Sequence, residues 1–347
     1  MTEAASFLFL TCQVGAEGAV KGELARRWPE FRFSYSRPGF LTFKLPANHE
    51  LPDDFDLQSI FTRAHAFSLG RVTGESHEAL SAATWQLVGA RRFQHLHVWP
   101  RDALPAGEHG YEPGFTDHSR AAEAALRTQC QFPLTPSALP TPSSQVVLDV
   151  VLVSEHEWFV GHHRTRTGTS RWPGGMRNTP LPADAVSRAW LKMDEALRWS
   201  GLPVRRGQTV AEIGCAPGGS CQSLLERGLI VTGIDPAVVD ERLLAHPRFT
   251  HIRKRGSEVP RRMFAATRWL AADMNVAPEY TLDTVEAIVT HRQVRIRGLL
   301  LTLKLPDWSL AAEVPKYLDR IRSWGFAKVR ARQLQHNRQE ICVAALR

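Results

Sequence analysis

The period of apolar and polar residues changes near residue 184 and splits the chain in two. Before that point alternation dominates. Residues 7–12, 31–35 and 40–45 read as strands, the last two joined by an Arg37-Pro38-Gly39 turn. Val20, Leu24 and Trp28 recur between them at helical spacing. This βαββ order predicts a small α+β module ending near residue 75. Further strands are expected at 85–88 and 93–98, a helix at 119–130, and a hairpin from 146–154 and 157–160. Residues 133–144 are rich in Pro, Ser and Thr and read as a loop. Residues 161–182, rich in Gly, Pro, Arg and Thr, read as an interdomain connection.

After residue 184 helices and strands alternate. Val186, Trp190, Met193 and Leu197 make one stripe of an amphipathic helix over 184–200. Strands are predicted at 209–213, 229–234, 269–272 and 299–305, with helices at 222–227, 282–289 and 313–324. The last two strands, 328–334 and 340–346, are close enough in sequence to pair antiparallel. Strands separated by helices predict a doubly wound, Rossmann-like α/β sheet. The expected organisation is a module over 1–75, a second over 76–165, a linker at 166–186 and an α/β domain over 187–347.

Charge sharpens this division. The 347 residues carry a net charge of +8. Residues 1–160 hold 13 Lys/Arg against 18 Asp/Glu, whereas 161–347 hold 30 against 17. A basic second half points to a polyanionic partner, most often nucleic acid. The densest clusters are Arg253-Lys254-Arg255 with Arg261 and Arg262, then Arg292, Arg295 and Arg297, then Lys328, Arg330 and Arg332, with Arg164, Arg166 and Arg171 earlier. A solvated basic face is the bland alternative for any single cluster.

The five cysteines are scattered and include no C-x-x-C, which argues against a disulfide framework or a cysteine zinc site. No apolar run approaches ~18 residues, and Phe7-Leu8-Phe9-Leu10 is short for a signal-peptide core. A cytoplasmic protein without a membrane segment is expected. Oligomeric state is open, with a monomer as the default.

The densest chemical signal is Val210-Ala211-Glu212-Ile213-Gly214-Cys215-Ala216-Pro217-Gly218-Gly219-Ser220, a strand that ends in a glycine-rich turn opening a helix. Glycines let backbone approach a ligand closely. The pattern is not G-x-G-x-x-G, so a pyrophosphate clamp and hydride transfer are disfavoured. The next strand ends at Asp235, about 20 residues on, where an acid suits the paired hydroxyls of a ribose. A nucleoside without phosphates fits such a loop, and S-adenosylmethionine is one. A tight turn without a ligand is the alternative.

This string resembles the cofactor motif D-L-G-A-x-P-G-G-W of the FtsJ/RrmJ-type ribose-2'-O-methyltransferases. Glu212 stands for the Asp, Cys215 for the Ala and Ser220 for the Trp. The resemblance implies cofactor contacts at Gly214, Cys215, Ala216, Pro217, Gly218, Gly219, Ser220, Asp235 and Asp273. It also implies a Lys-Asp-Lys-Glu tetrad, and each member has a candidate here. Lys192 lies in Ser187-Arg188-Ala189-Trp190-Leu191-Lys192-Met193-Asp194-Glu195-Ala196, similar to the family's S-R-A-x-x-K-L-x-E. Asp273 and Lys304 end predicted strands, and Glu340 opens the last one. Taken alone, Lys192 reads as a surface lysine off the apolar stripe, and Glu340 as a solvated strand residue.

The implied chemistry accounts for the residue types. A ribose 2'-hydroxyl must lose its proton as it attacks a sulfonium methyl, and a lysine accepts that proton only as the neutral amine. A second lysine and partial burial both favour that form. The resemblance assigns Lys304 to the hydroxyl as base or orienting group, with Lys192 tuning it, Asp273 beside cofactor and lysines, and Glu340 orienting the amines. This chemistry requires no metal.

Within the superfamily, Leu303-Lys304-Leu305-Pro306 and the run from Ala331 to Glu340 are similar to the large-subunit ribosomal RNA 2'-O-methyltransferases of the RlmM type. Cys12-Gln13-Val14-Gly15-Ala16-Glu17 and Arg37-Pro38-Gly39-Phe40 resemble the ferredoxin-like module of those enzymes, and residues 76–165 would correspond to their THUMP domain. The implied partner is RNA, specifically large-subunit ribosomal RNA or its precursor. The acid this family places after the third strand has only Glu258 as a shifted substitute. Guanine and cytosine base methylation lack their motifs, since Asp273-Met274-Asn275-Val276 is neither N/D-P-P-Y nor a cysteine site. A non-catalytic RNA-binding or ribosome-assembly factor that keeps the fold is the remaining alternative.

Overall fold

In the computed structural model, which describes residues 6–47, 51–136, 140–166 and 168–347, the chain divides into units Met1–Asn178 and Thr179–Arg347. The first unit contains strands β1 (Phe7–Cys12), β2 (Arg32–Arg37), β3 (Phe40–Lys44), β4 (Thr62–Thr73), β5 (His95–Pro100), β6 (Val146–Ser154) and β7 (Glu157–Arg164). Its helices are α1 (Glu17–Arg27), α2 (His77–Val88) and α3 (Asp117–Gln129). One sheet in the order β2-β3-β1-β4-β7-β6-β5 unites all seven strands. The pairings are antiparallel except β5 with β6.

β4 was not evident from alternation. Its burial is irregular and its pairing with β7 shifts register between Ser68 and Gly70, so no clean period of two survives. Because β4 pairs with both β1 and β7, the sheet runs without a break across the boundary expected at residue 75.

The strand expected at 85–88 is instead the last turn of α2. Ser76 caps that helix by accepting the Ala79 N–H at 3.2 Å, and Leu80, Thr84 and Val88 are buried at helical spacing. A four-residue apolar run is too short to distinguish the two periods. The first part of the stretch expected as a linker is ordered against the first unit. Residues 168–171 and 173–175 form short 3-10 turns, and Met176 is buried in contact with Arg63, with Sδ 3.6 Å from Nη1. The division between units falls within the expected stretch, between Asn178 and Thr179.

The second unit contains α4 (Ala189–Ser200), β8 (Thr209–Ile213), α5 (Gly219–Glu226), β9 (Ile230–Ile234), α6 (Glu241–Leu244), β10 (Phe249–Ile252), β11 (Trp269–Ala272), α7 (Pro278–Val289), β12 (Gly298–Lys304), α8 (Val314–Ser323), β13 (Lys328–Arg332) and β14 (Glu340–Leu346). The sheet order is β10-β9-β8-β11-β12-β14-β13. Neighbours from β10 to β12 are parallel, and β14 is inserted antiparallel between β12 and β13. Chain order reverses between β8 and β11. In open α/β sheets, ligands bind in the crevice beyond the carboxyl ends of strands at such a switch point. No helix among the described residues is long and apolar enough to cross a membrane.

Candidate active site

The glycine loop leaves the carboxyl end of β8. Gly214 has φ +81°, and a Cβ there would lie 2.5 Å from the carbonyl oxygen of Asp273. Only glycine fits both the backbone conformation and the space. Gly218 has φ +124°, and its Cβ would overlap a methyl of Leu243. Both glycines are therefore required by the close packing of this turn against Asp273 and Leu243. The Ala216–Pro217 peptide is cis, and the Pro217 carbonyl accepts the Asp240 N–H at 2.9 Å. Cys215 packs into the hydrophobic core, and Gly219 begins α5 against Ser187. Asp235 ends β9 half-buried. Its carboxylate accepts the Ala216 N–H at 3.2 Å and the Ala237 N–H at 2.8 Å, so it fastens the cofactor loop to the adjacent strand end.

Below this loop Glu212 is fully buried. Ser220 Oγ donates to Oε1, and Cys221 Sγ donates to Oε2 at 2.9 Å. Burial pushes the Glu212 carboxyl up to about 7, against the pull of those hydrogen bonds. The serine standing where the family has tryptophan thus serves the buried acid of the same loop. A cavity of about 20 Å³ lies against Glu212, Ser220, Lys192, Asp273 and Asn337, room for one water.

The four expected tetrad members converge. Lys192 reaches in from α4, Asp273 from the end of β11, Lys304 from the end of β12, and Glu340 from the start of β14. Lys304 and Glu340 are register partners across β12 and β14. Lys192 Nζ lies 2.7 Å from Asp273 Oδ2 and 2.8 Å from Glu340 Oε1. Lys304 Nζ lies 2.8 Å from Asp273 Oδ1 and also pairs with Glu340 Oε2. Cations and anions alternate around a closed ring with no net charge. Side-chain exposure is 13% for Lys192, 20% for Lys304, 19% for Asp273 and 5% for Glu340.

The electrostatics correct one expectation. The two lysines do not face each other bare, because a carboxylate stands between them on either side. At Lys192 burial pulls the amine down, but Asp273 and Glu340 outweigh it and the pKa rises. Burial pushes the carboxyls of Asp273 and Glu340 up, and the lysines more than reverse this, so both end below the ordinary range.

Two supporting residues escaped the sequence reading. Asn337 donates to Glu340 Oε1 at 3.2 Å and accepts the Leu334 N–H at 2.8 Å. Glu195, one helical turn after Lys192, accepts the N–H groups of Gln335 at 2.8 Å and His336 at 3.1 Å. Both lie inside stretches already matched to the family, and their polar identity was the available signal. Glu258, the shifted substitute after the third strand, is exposed and accepts the Arg255 N–H at 3.1 Å.

The basic clusters separate by environment. Arg253, Lys254, Arg255, Arg262, Arg292 and Arg295 are exposed. Arg330 is exposed as well, and it donates to the Ser200 carbonyl at 2.6 Å, at the end of α4. Arg164 pairs with Asp53 at 3.2 Å, and Arg171 donates to the Thr141 carbonyl at 2.6 Å. A cleft of about 300 Å³ beside Asp53, Asp54, Arg164 and Arg166 lies in the first unit and contains no predicted site residue.

Comparison with known proteins agrees with this geometry. The FtsJ-like methyltransferase family model matches residues 185–292, which include α4, the glycine loop and Asp273. The ribosomal RNA large subunit methyltransferase M of Halorhodospira halophila is 34% identical over 97% of this chain and 96% of its own length. The proteins of the same name from Alkalilimnicola ehrlichii and Xylella fastidiosa strain 9a5c are 32% and 31% identical, over 55% and 57% of this chain and 56% and 57% of their own lengths. A likeness spanning both units, joined to a methyltransferase loop, places this chain in the ribosomal RNA large subunit methyltransferase M family.

Proposed function

We propose that this protein transfers the methyl group of S-adenosylmethionine to a ribose 2'-hydroxyl of large-subunit ribosomal RNA. The observation that carries the reading is the closed Lys192–Asp273–Lys304–Glu340 ring at the strand ends beside Gly214. In this reading the loop from Gly214 to Ser220 holds the cofactor, and Asp235 takes its ribose hydroxyls. Bound S-adenosylmethionine supplies an electrophilic methyl on a sulfonium.

This chain's residues supply position and proton traffic. Each ammonium of the ring spends two of its three N–H donors on carboxylates and keeps one for substrate. Lys192 stays an ammonium and holds the ring. Lys304, the more exposed amine, takes the hydroxyl. The ring first loses one proton to solvent. Lys304 Nζ then accepts the hydroxyl proton, and the methyl that the oxygen takes up would come from the cofactor held over the glycine loop. Alignment of the three reacting atoms contributes much of the rate. The 2'-hydroxyl distinguishes RNA from DNA, and the target nucleotide must be unstacked to enter.

In this reading the first unit comprises the ferredoxin-like and THUMP-like modules and positions RNA, the exposed basic clusters of the second unit contact phosphates, and the protein works in the cytoplasm. The test is transfer of isotope-labelled methyl to large-subunit RNA, followed by nuclease digestion to nucleosides. Label on ribose is expected. Label on a base, or none with intact cofactor binding, overturns the reading.

A further inference from the structure

A second polar cluster lies in the first unit. His97, Asp149 and His163 come from the adjacent strands β5, β6 and β7. His97 and Asp149 are register partners, and His163 stands two residues beyond Gly161, the β7 partner of Asp149. All three side chains therefore share one face of the sheet. Their side-chain exposures are 3%, 1% and 14%.

Each imidazole has its outer nitrogen fixed by an oxygen. Nε2 of His97 meets Thr141 Oγ1 at 2.9 Å, and Nε2 of His163 meets the Ser170 carbonyl at 2.8 Å. Each inner nitrogen turns to the same carboxylate. Nδ1 of His163 is 2.5 Å from Asp149 Oδ2, and Nδ1 of His97 is 3.9 Å from Asp149 Oδ1. A simple His–Asp ion pair accounts for His163 and leaves the rest unexplained. Nδ1 of His97 and Oδ1 of Asp149 are buried and have no hydrogen-bond partner among the described residues. Buried polar atoms are rarely left so in folded proteins.

We propose that His97, Asp149 and His163 form a site for a divalent transition cation of the Zn²⁺ type, bound through both Nδ1 atoms and the Asp149 carboxylate. The three ligand atoms lie within 4.8 Å of one another, near enough to close on one ion. Two imidazoles and a carboxylate are a common zinc donor set. An oxygen on the far nitrogen of each histidine is the usual support for such ligands, fixing tautomer and ring orientation. The ion takes the place of the proton between His163 and Asp149, and it gives the two orphaned atoms a partner. It also ties three strands to the segments carrying Thr141 and Ser170, which are themselves joined where Arg171 Nε donates to the Thr141 carbonyl at 2.6 Å.

The test uses the full chain, stripped with a chelator and titrated with ZnCl2 or CoCl2. One Zn²⁺ per chain by elemental analysis, a thermal midpoint raised by several degrees, and at least a 100-fold weaker affinity in His97→Gln are the expected results. Unchanged binding in His97→Gln, or no retained ion, overturns the proposal. Should that variant fail to fold, the Co²⁺ spectrum of the unaltered protein decides. Weak d–d bands alone support the site, whereas a thiolate charge-transfer band places the ion on cysteine and overturns it.

Discussion

The Lys–Asp–Lys–Glu ring and the His–Asp–His trio solve the same problem in different ways. Both gather ionisable groups against a seven-stranded sheet, and both centre on one aspartate facing two nitrogen bases. In the ring, Glu340 supplies a second anion and every charge meets its opposite. In the trio there is no second anion, and two polar atoms stay unmatched. A closed ring holds reactive groups in fixed positions without further help. An open cluster calls for one more positive charge. Burial is common to the two clusters, and the count of satisfied donors and acceptors is what separates them.

The largest expected effect breaks the ring. Lys304→Ala should reduce single-turnover methyl transfer by about 10³-fold, within the usual range for loss of a general acid–base group, while calorimetry shows cofactor affinity within a few fold of the unaltered protein. Transfer within tenfold of normal would remove Lys304 from the mechanism.

Breaking the trio should act on stability. His163 has acceptors at both ring nitrogens, and Asp149 with the Ser170 carbonyl raise its pKa despite the opposing effect of burial. Asp149→Asn in metal-stripped protein strands that charge, at a cost of about 3 kcal/mol, read from urea unfolding. A cost below about 0.5 kcal/mol would mean that the pair contributes little to the fold.

Glu212 sharpens the contrast as a buried acid with hydrogen bonds but no ion-pair partner among the described residues. Its carboxyl rises from 4.5 to about 7 on burial. Folded protein therefore binds this proton more tightly than unfolded chain, and stability falls as pH climbs from about 4.5 to about 7. The loss amounts to ~3 kcal/mol, and Glu212→Gln should flatten that part of the stability curve. Asp273 and Glu340 have the opposite sign, since their lowered pKa values contribute stability that disappears as acid protonates them. An unchanged slope in Glu212→Gln would assign the pH dependence to other groups.

The smallest effect concerns the exposed surface. Lys254→Ala should weaken RNA binding by a few fold and lower the slope of log affinity against log salt by about one. An unaltered slope would take this residue off the RNA face.

The second unit was legible in the sequence because its strands are short, apolar and bounded by turns. The predicted strand at 209–213 coincides with β8, and 269–272 with β11. β10 was not read, since it is four residues long with no fully buried position. In the first unit, β4 lost its period to a register shift, and α2 ends in an apolar run that also fits a strand.

The tetrad residues could be found one by one, because each stands at an element end or inside a recognisable string. Their alternation of charge could not, since it depends on the order β11-β12-β14 and on α4 reaching the same point. The trio was hidden for a similar reason. Its members are spread from residue 97 to 163 and meet only through strand register. A search of cysteine spacing had no means of finding them.

The reversal of β14 has a consequence for assembly. It is the strand that brings Glu340 opposite Lys304. Until it docks beside β12, two ammonium groups have Asp273 as their one shared carboxylate. Completing the sheet and closing the charge ring are therefore a single event, and a chain that ends before residue 340 would retain the glycine loop while leaving its two amines to share one carboxylate.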